Sequence, residues 1–398
     1  MSWNQVIFES IFKIQTKNGL TKPSRIRGEG YKFINMGELF AIDRMYDPKM
    51  ELVPLSETEK ITHKIEKGDL LFARQSLVAS GAGKCSIVKE VDDLTVFDSH
   101  IIRVRLNQEF CDSDFYYYYF KSSVNNLKSL VQQGVQAGIR ASDLSKLKVH
   151  YPPLETQKRI ASILSTYDDL IENNLKRIKL LEETAQNIYK EWFVNFRFPN
   201  YEHTEFDAES GLPVGWQKIN LYDFVEIKMG FPFKGEDFNE VNIGKPAIRI
   251  RDIPSSWTRT HTTQEVSEEY IVEQGDILIG MDGFFYLDIW RGQKGYLVQR
   301  VCRIRANEQN LQGFLLESLR QPISYYEKTI SGATVAHLGA KHLKEIFINV
   351  PKDSQLLEEL KVFNRLNSQK INLSNQNQKL KEARDILLPR LMNRTIEV

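Results

Sequence analysis

Two stretches of the chain carry apolar residues at intervals that alternate four and three. In the first, Ile160, Leu164, Tyr167, Ile171, Asn174, Ile178, Leu181, Ala185, Ile188 and Trp192 follow in that order. A mean period of 3.5 residues keeps one stripe turned toward a partner helix, so the pattern predicts a coiled-coil seam with one polar break at Asn174. In the second, Leu366, Leu373, Leu380 and Leu387 stand seven apart, with Phe363, Lys370, Asn377, Arg384 and Leu391 at the alternate positions. That seam is more polar and weaker. Short apolar runs broken by Gly, Pro and Asn fill the rest and predict mixed, strand-rich domains. The expected order is a domain at 1–150, a long helix at 151–195, a connector rich in Pro, Gly and acidic residues at 196–215, a second domain at 216–350 and a second long helix at 351–393.

The two halves are copies of one another. Gly68-Asp69-Leu70-Leu71 returns as Gly275-Asp276-Ile277-Leu278, and the Arg103-Val104-Arg105 block returns as Arg303-Ile304-Arg305. Ala141 and Leu144 match Ala340 and Leu343, and Pro153 and Gln157 match Pro351 and Gln355, so the offset falls from 207 through 200 and 199 to 198. Offsets that drift between strand-like blocks are what loop insertions produce, because exposed connections tolerate length changes that strands do not. One scaffold therefore carries two sets of loops.

Two amphipathic helices of about 35 residues, roughly 50 Å long at the helical rise, cannot leave their stripes in water. The least demanding arrangement within one chain is to pair them. The expected fold is α+β: two mixed α/β domains in a pseudo-twofold arrangement, joined by two long helices in an intramolecular antiparallel coiled coil. Antiparallel alignment brings Asn174 near Asn377, a polar pair of the kind that fixes register at some cost in stability. A separation of a few tens of ångströms suits a reader of two short sequences about one turn of B-DNA, roughly 34 Å, apart.

Composition narrows the classes. Hydrophobic residues are 41% and charged residues 26% of 398, an ordinary globular balance. No stretch approaches the roughly 18 apolar residues needed to cross a bilayer, and the first residues lack a basic segment followed by an apolar one. A soluble, cytoplasmic protein without membrane contact is expected. Cys85, Cys111 and Cys302 are far apart and show no metal-ligand spacing. With 53 basic against 52 acidic residues, any polyanion binding must come from local segregation of charge.

The ordered blocks resemble a known family. They are Leu212-Pro213-Val214-Gly215-Trp216 at the start of the second half, Lys245-Pro246-Ala247-Ile248-Arg249-Ile250-Arg251-Asp252-Ile253, the two Gly-Asp blocks, and Pro152-Pro153-Leu154-Glu155-Thr156-Gln157 leading into the first long helix. In that order, twice over, they are similar to the specificity subunits of type I restriction-modification systems, and the likeness spans essentially the whole chain. The first half departs from the pattern by lacking the Pro-x-Gly-Trp opening and beginning almost directly at Trp3. The resemblance implies two target recognition domains, each reading half of a bipartite double-stranded DNA target. It also implies helices that set the spacer and dock two modification (methyltransferase) subunits, with restriction subunits joining the full complex. It implies no catalysis and no cofactor in this chain; S-adenosylmethionine, ATP and Mg belong to the partners.

Other motifs give way to blander readings. Ser80-Gly81-Ala82-Gly83-Lys84-Cys85 imitates a phosphate loop, but Val78 stands where its first glycine belongs and Cys85 where the magnesium-ligating hydroxyl belongs. Glu226-Ile227-Lys228 imitates a nuclease triplet without a convincing upstream aspartate. His337 and His342 lack further zinc ligands nearby. Tyr116 to Tyr119 invite base stacking, yet their counterparts in the second half include Leu315 and Leu316, so burial is the common requirement. No Asn/Asp-Pro-Pro-aromatic motif for methyl transfer is present.

Base edges are read by arginine, asparagine and glutamine, while lysine, arginine and serine position on phosphates. On loops after strands, the candidates in the first domain are Lys22, Arg25, Arg27, Arg74, Gln75, Lys84 and Arg140. In the second they are Lys234, Arg249, Arg251, Arg259, Arg291, Lys294, His337 and Lys341. Arg103, Arg105, Arg303 and Arg305 recur in both copies and are expected to be scaffold. The alternative readings are a coiled-coil assembly scaffold with two protein-binding domains and no nucleic-acid role, and, third, a nuclease fused to a recognition domain.

Overall fold

The structure, a computed structural model, describes residues 3–132, 136–330 and 336–398. The chain divides into two compact units, Met1–Asp169 with Leu380–Val398, and Leu170–Lys379. Each long helix thus contributes one segment to each unit.

In the first unit a five-stranded sheet runs in the order Phe12–Asn18, Ile101–Leu106, Leu70–Ala73, Cys85–Glu90, Arg44–Tyr46. Its first three pairings are antiparallel and the last is parallel. A smaller sheet sets Tyr31–Ile34 antiparallel to Glu51–Val53 and parallel to Thr95–Phe97. Gln5–Ile7 pairs with Lys148–His150 and ties the two ends of the domain together.

The second unit repeats this plan: Val225–Met229, Val301–Ala306, Ile277–Gly280 and Leu287–Ile289 form one sheet in that order. Lys245–Ile248 runs parallel to Gly295–Leu297, and Trp216–Asn220 pairs with Phe347–Pro351. The fold is α+β, and the duplication in the sequence is a duplication of strand topology.

The recurring blocks form one device. Gly68 and Gly275 take φ of +89° and +97°, a turn that favours glycine, and place the following aspartate under the sheet. Asp69 accepts from the backbone N–H of Glu66 and from a forked Arg105 guanidinium, Nε and Nη2 both at 2.7 Å. Asp276 does the same with Glu273 and with Arg305, at 2.5 and 2.8 Å. Arg103 and Arg303 are buried and donate to the carbonyls of Lys64 and Ile271. A fork onto a buried carboxylate combines charge with fixed geometry, so Arg105 and Arg305 tie each Gly-Asp turn to its sheet, while Arg103 and Arg303 tie down the segment before it.

Against the first sheet packs the helix Ser113–Lys121, capped by Asp112 accepting from Phe115 N–H at 2.8 Å. Its Phe115, all four tyrosines and Phe120 are buried in the same core as Phe72, Ile87 and Val104. Tyr118 donates to Asp168 on the first long helix at 2.7 Å. The tyrosine run is core.

The first long helix, Leu154–Tyr189, is 36 residues and closes with a wider turn at Lys190–Val194. In the second half the predicted single run starting at 351 is instead two helices, Ser354–Glu359 and Lys361–Met392, parted at Leu360. Within each unit the long helices run antiparallel. Asn174 meets Asn377, Glu182 meets Lys370 at 3.1 Å and the Tyr189 ring meets Phe363 at 6.4 Å in one unit, while Asp168 meets Arg384 in the other. In the second unit the two numbers of each pair add to 551 or 552, a single antiparallel register.

Ile160, Leu164, Ile171, Asn174, Ile178, Phe363, Leu373 and Asn377 are buried, as is Ala185. Tyr167, Leu181, Ile188, Leu366, Leu380 and Leu387 are half-buried at the seam's edge. Their neighbours Asp168 and Asn367, with Lys370, are buried more deeply.

Candidate nucleic-acid interface

Each central strand that begins at a Gly-Asp turn ends where three loops meet. In the first unit Arg74 N–H donates to His100 O at 2.7 Å, Ile139 N–H donates to Arg74 O at 2.9 Å, and Leu20 bridges to Asp98. In the second, Met281 N–H donates to Arg300 O at 2.9 Å, Leu338 N–H donates to Met281 O at 2.8 Å, and Phe231 bridges to Val298. The backbone bonds are the same in both copies. The side chains they carry are not.

In the first unit Arg74 Nη1 donates to Ser99 O at 3.1 Å. Gln75 is half-buried beside it in a two-residue pairing with Ala137–Gly138. His100 Nδ1 lies 2.6 Å from Asp98. Arg140 is exposed at the start of the helix Ala141–Ser145. In the second unit Asp282 holds both Arg300 Nε, at 3.2 Å, and His337 Nδ1, at 2.5 Å, and Lys341 is exposed nearby on the helix Ala340–Lys344. Arg300 takes φ of +74°, a conformation that costs a branched or long side chain energy and marks a constrained tip.

The junction gathers Arg74, Gln75 and Arg140 in one unit and His337 and Lys341 in the other. Further candidates are spoken for elsewhere. Lys22 is paired to Glu59 at 3.0 Å, Arg27 to Glu51 at 2.6 Å and Lys84 to Asp43 at 3.1 Å, while Arg25 is exposed on the same loop as Lys22.

Arg249 lies 4.2 Å over the Phe238 ring, where burial lowers the proton affinity of its guanidinium. Arg251 is exposed and donates to Thr260 at 3.3 Å; Arg259 sits over the exposed Trp257. Lys234 is exposed, and Lys294 pairs with Glu273 at 2.7 Å. Arg291 is only 10% exposed, between Asp288 at 2.8 Å and Glu182 of the first long helix at 3.8 Å. Its ion pairs place it in the packing of the second unit.

His337 and His342 are engaged separately: His342 Nδ1 accepts from Gly339 N–H at 2.9 Å while His337 Nδ1 faces Asp282. His100 and Arg300 were missed in the sequence. The signal was present, since both stand just ahead of the recurring Arg-x-Arg strand, in Asp98-Ser99-His100 and Val298-Gln299-Arg300.

A family model described as type I restriction modification DNA specificity domain matches residues 2–183 and 213–382, both copies. The chain is 34% identical over 137 residues to the EcoBI type I restriction enzyme specificity subunit of Escherichia coli, a match spanning 34% of this chain and 29% of that protein. It is 26% identical over 299 residues to the MjaIX type I restriction enzyme specificity subunit of Methanocaldococcus jannaschii, spanning 70% of this chain and 68% of that one. The crystal structure of a type I restriction-modification S subunit from M. genitalium superimposes with a TM-score of 0.57 at 16% identity, covering 98% of this chain and 96% of that one. At that identity the likeness is one of fold.

Proposed function

From the premise that this chain belongs to the family of type I restriction modification DNA specificity domains, we propose that it is the subunit that reads DNA while chemistry is left to its partners. Each compact unit reads one half of a bipartite duplex target. The long helices set the distance between the halves and dock two modification subunits, which bring S-adenosylmethionine. The restriction subunits of the full complex bring ATP and magnesium chemistry. Among the described residues no helix is long and apolar enough to cross a membrane.

One observation carries the reading. The three-loop junction is built twice with the same backbone hydrogen bonds, yet it displays Arg74, Gln75, His100 and Arg140 in one copy and Asp282, Arg300, His337 and Lys341 in the other. A conserved frame with exchanged polar side chains is what two readers of different sequences need, because donors and acceptors on base edges differ while the phosphate backbone does not. The formal charge of +1 fits a chain that shares the phosphate grip with partners, and implies weak, salt-sensitive binding by the chain alone.

Mapping modified bases in a strain with and without this gene tests the reading. A two-part motif that vanishes with the gene is expected. An unchanged methylome would leave a protein-binding scaffold as the better account.

A further inference from the structure

The hairpin that leaves each junction ends in a bare apolar side chain at the same place in both copies. Leu77 stands four residues beyond the strand Leu70–Ala73 and Phe284 four beyond Ile277–Gly280, at the offset of 207 that relates the two strands. Leu77 is 85% exposed and its neighbour Val78 60%; Phe284 is 68% exposed. The loops otherwise differ. The first unit closes its hairpin with Ala73 N–H on Lys84 O at 2.8 Å, and the second closes it over fewer residues, with Gly280 N–H on Tyr286 O at 2.8 Å. A single exposed apolar residue is unremarkable, but the same position left bare on two loops of different length is a property of the scaffold.

The second tip is organised. Phe284 stacks on the half-exposed Tyr286 with ring centroids 5.7 Å apart and planes 28° from parallel. Gly283 takes φ of +69° with open space where a side chain would stand. Its N–H donates to Ala336 O at 3.0 Å, fastening the tip to the segment that carries His337. Asp282, two residues before Phe284, holds Arg300 at 3.2 Å and His337 at 2.5 Å, and Arg74, three residues before Leu77, donates to Ser99 O at 3.1 Å. An apolar projection beside an arginine-bearing junction complements a duplex, whose outer surface is phosphate and whose base steps offer apolar faces.

We propose that these tips are wedges: Phe284, backed by Tyr286, enters a base step of the half-site read by the second unit and partly unstacks it, and Leu77 does the same in the first. The wedge distorts the duplex beside the place where a partner must reach a base. This rests on the DNA-reading function above and adds the mode of contact.

The test uses the full chain reconstituted with its modification subunits, on duplexes carrying the motif found by mapping modified bases, with 2-aminopurine placed at successive steps of the half-site assigned to the second unit. The complex is expected to raise 2-aminopurine fluorescence at one step. Phe284→Ala should abolish that rise and weaken binding about tenfold, the scale of one lost base stack, while the slope of log affinity against log salt stays unchanged because no cation is lost. Phe284→Trp should keep both. Tight binding with no step showing a rise, or Phe284→Ala behaving as the parent, overturns the wedge while leaving the reading intact. A parent complex with no sequence preference overturns the reading itself.

Discussion

Asn174 donates from Nδ2 to Oδ1 of Asn377 at 2.9 Å, and Asn377 donates in turn to the carbonyl of Ile171 at 3.3 Å. Both asparagines are buried in the seam. Asn174→Leu leaves Asn377 Oδ1 without its donor, a loss of about 1–3 kcal/mol, while after Asn377→Leu the Asn174 Nδ2 keeps only its longer contact to Gln376 Oε1 at 3.4 Å, a smaller loss. Replacing both removes the unmet group and adds apolar contact. Urea unfolding of the two single variants and Asn174→Leu/Asn377→Leu should therefore show destabilised singles and a double variant at least as stable as the parent, with its register less tightly fixed. Additive losses would show that the pair does not act as one unit.

The Arg105–Asp69 fork makes a second prediction. Asp69 is fully enclosed, and Arg105 is its charge partner. Arg105→Met leaves a buried carboxylate uncompensated, and breaking such a pair from one side costs about 3–5 kcal/mol. Arg305→Met should act in the same way on Asp276 in the second unit. Denaturant midpoints check both. A change below 1 kcal/mol would indicate that water reaches the carboxylate.

Much of this frame was legible in the chain because it is periodic or repeated. The 3.5-residue spacing picked out Ile160, Leu164, Ile171 and Ile178, and the repeat linked each Gly-Asp turn to an Arg-x-Arg strand. Apolar counting failed where a charge is buried with its partner. The heptad spacing put Lys370 and Arg384 on the seam but not Asp168, and it could not name the partners, Glu182 for Lys370 and Asp168 for Arg384, some 200 residues away. At the loop junction the repeat marks where His100 and Arg300 stand but not what they meet. His100 and Arg300 acquire their position from backbone bonds between distant segments, and Arg291, which looks like a free cation on a loop, is absorbed by Asp288 and Glu182.

Acid should loosen the first unit before it protonates ordinary carboxylates. Burial lowers the proton affinity of His150 and of His63, the latter helped by Lys17 and Arg103, below the usual histidine value near 6.5. The unfolded chain therefore takes up protons at a higher pH than the folded one, so stability is full above about 7 and falls as pH drops through 6.5 toward the depressed folded values. His150 packs edge-on to Trp3 at 5.9 Å and against Tyr119 at 5.6 Å, and its buried Nδ1 has no hydrogen-bond partner. His150→Phe should flatten the dependence of the thermal midpoint on pH between 7 and 5. An unchanged slope would exclude this histidine as the source.

The two junctions should fail independently. Arg140 is exposed at one and Arg300 at the other. An arginine forked onto a base edge contributes about 1–3 kcal/mol of discrimination, whereas one on phosphate lowers the salt slope by about 0.9 without altering preference. Arg140→Ala is expected to relax one half of the modified motif and Arg300→Ala the other, each leaving the opposite half intact. Relaxation of both halves by either variant would contradict separate reading.

The spacer should follow the helices in steps of seven. Seven extra residues preserve the 4,3 phase of the seam, so a heptad inserted after Ile178 and another after the facing Leu373 lengthen both helices by about 10 Å while every existing pair keeps its partner type. Three base pairs occupy about the same distance along a duplex at 3.4 Å each, so the gap between the two halves of the modified motif is expected to grow by about three. Five-residue insertions at the same points turn the downstream stripe by about 140°, exposing it and burying charge, and should abolish modification. A heptad variant that still modifies the parental spacing would show that something other than helix length sets the gap.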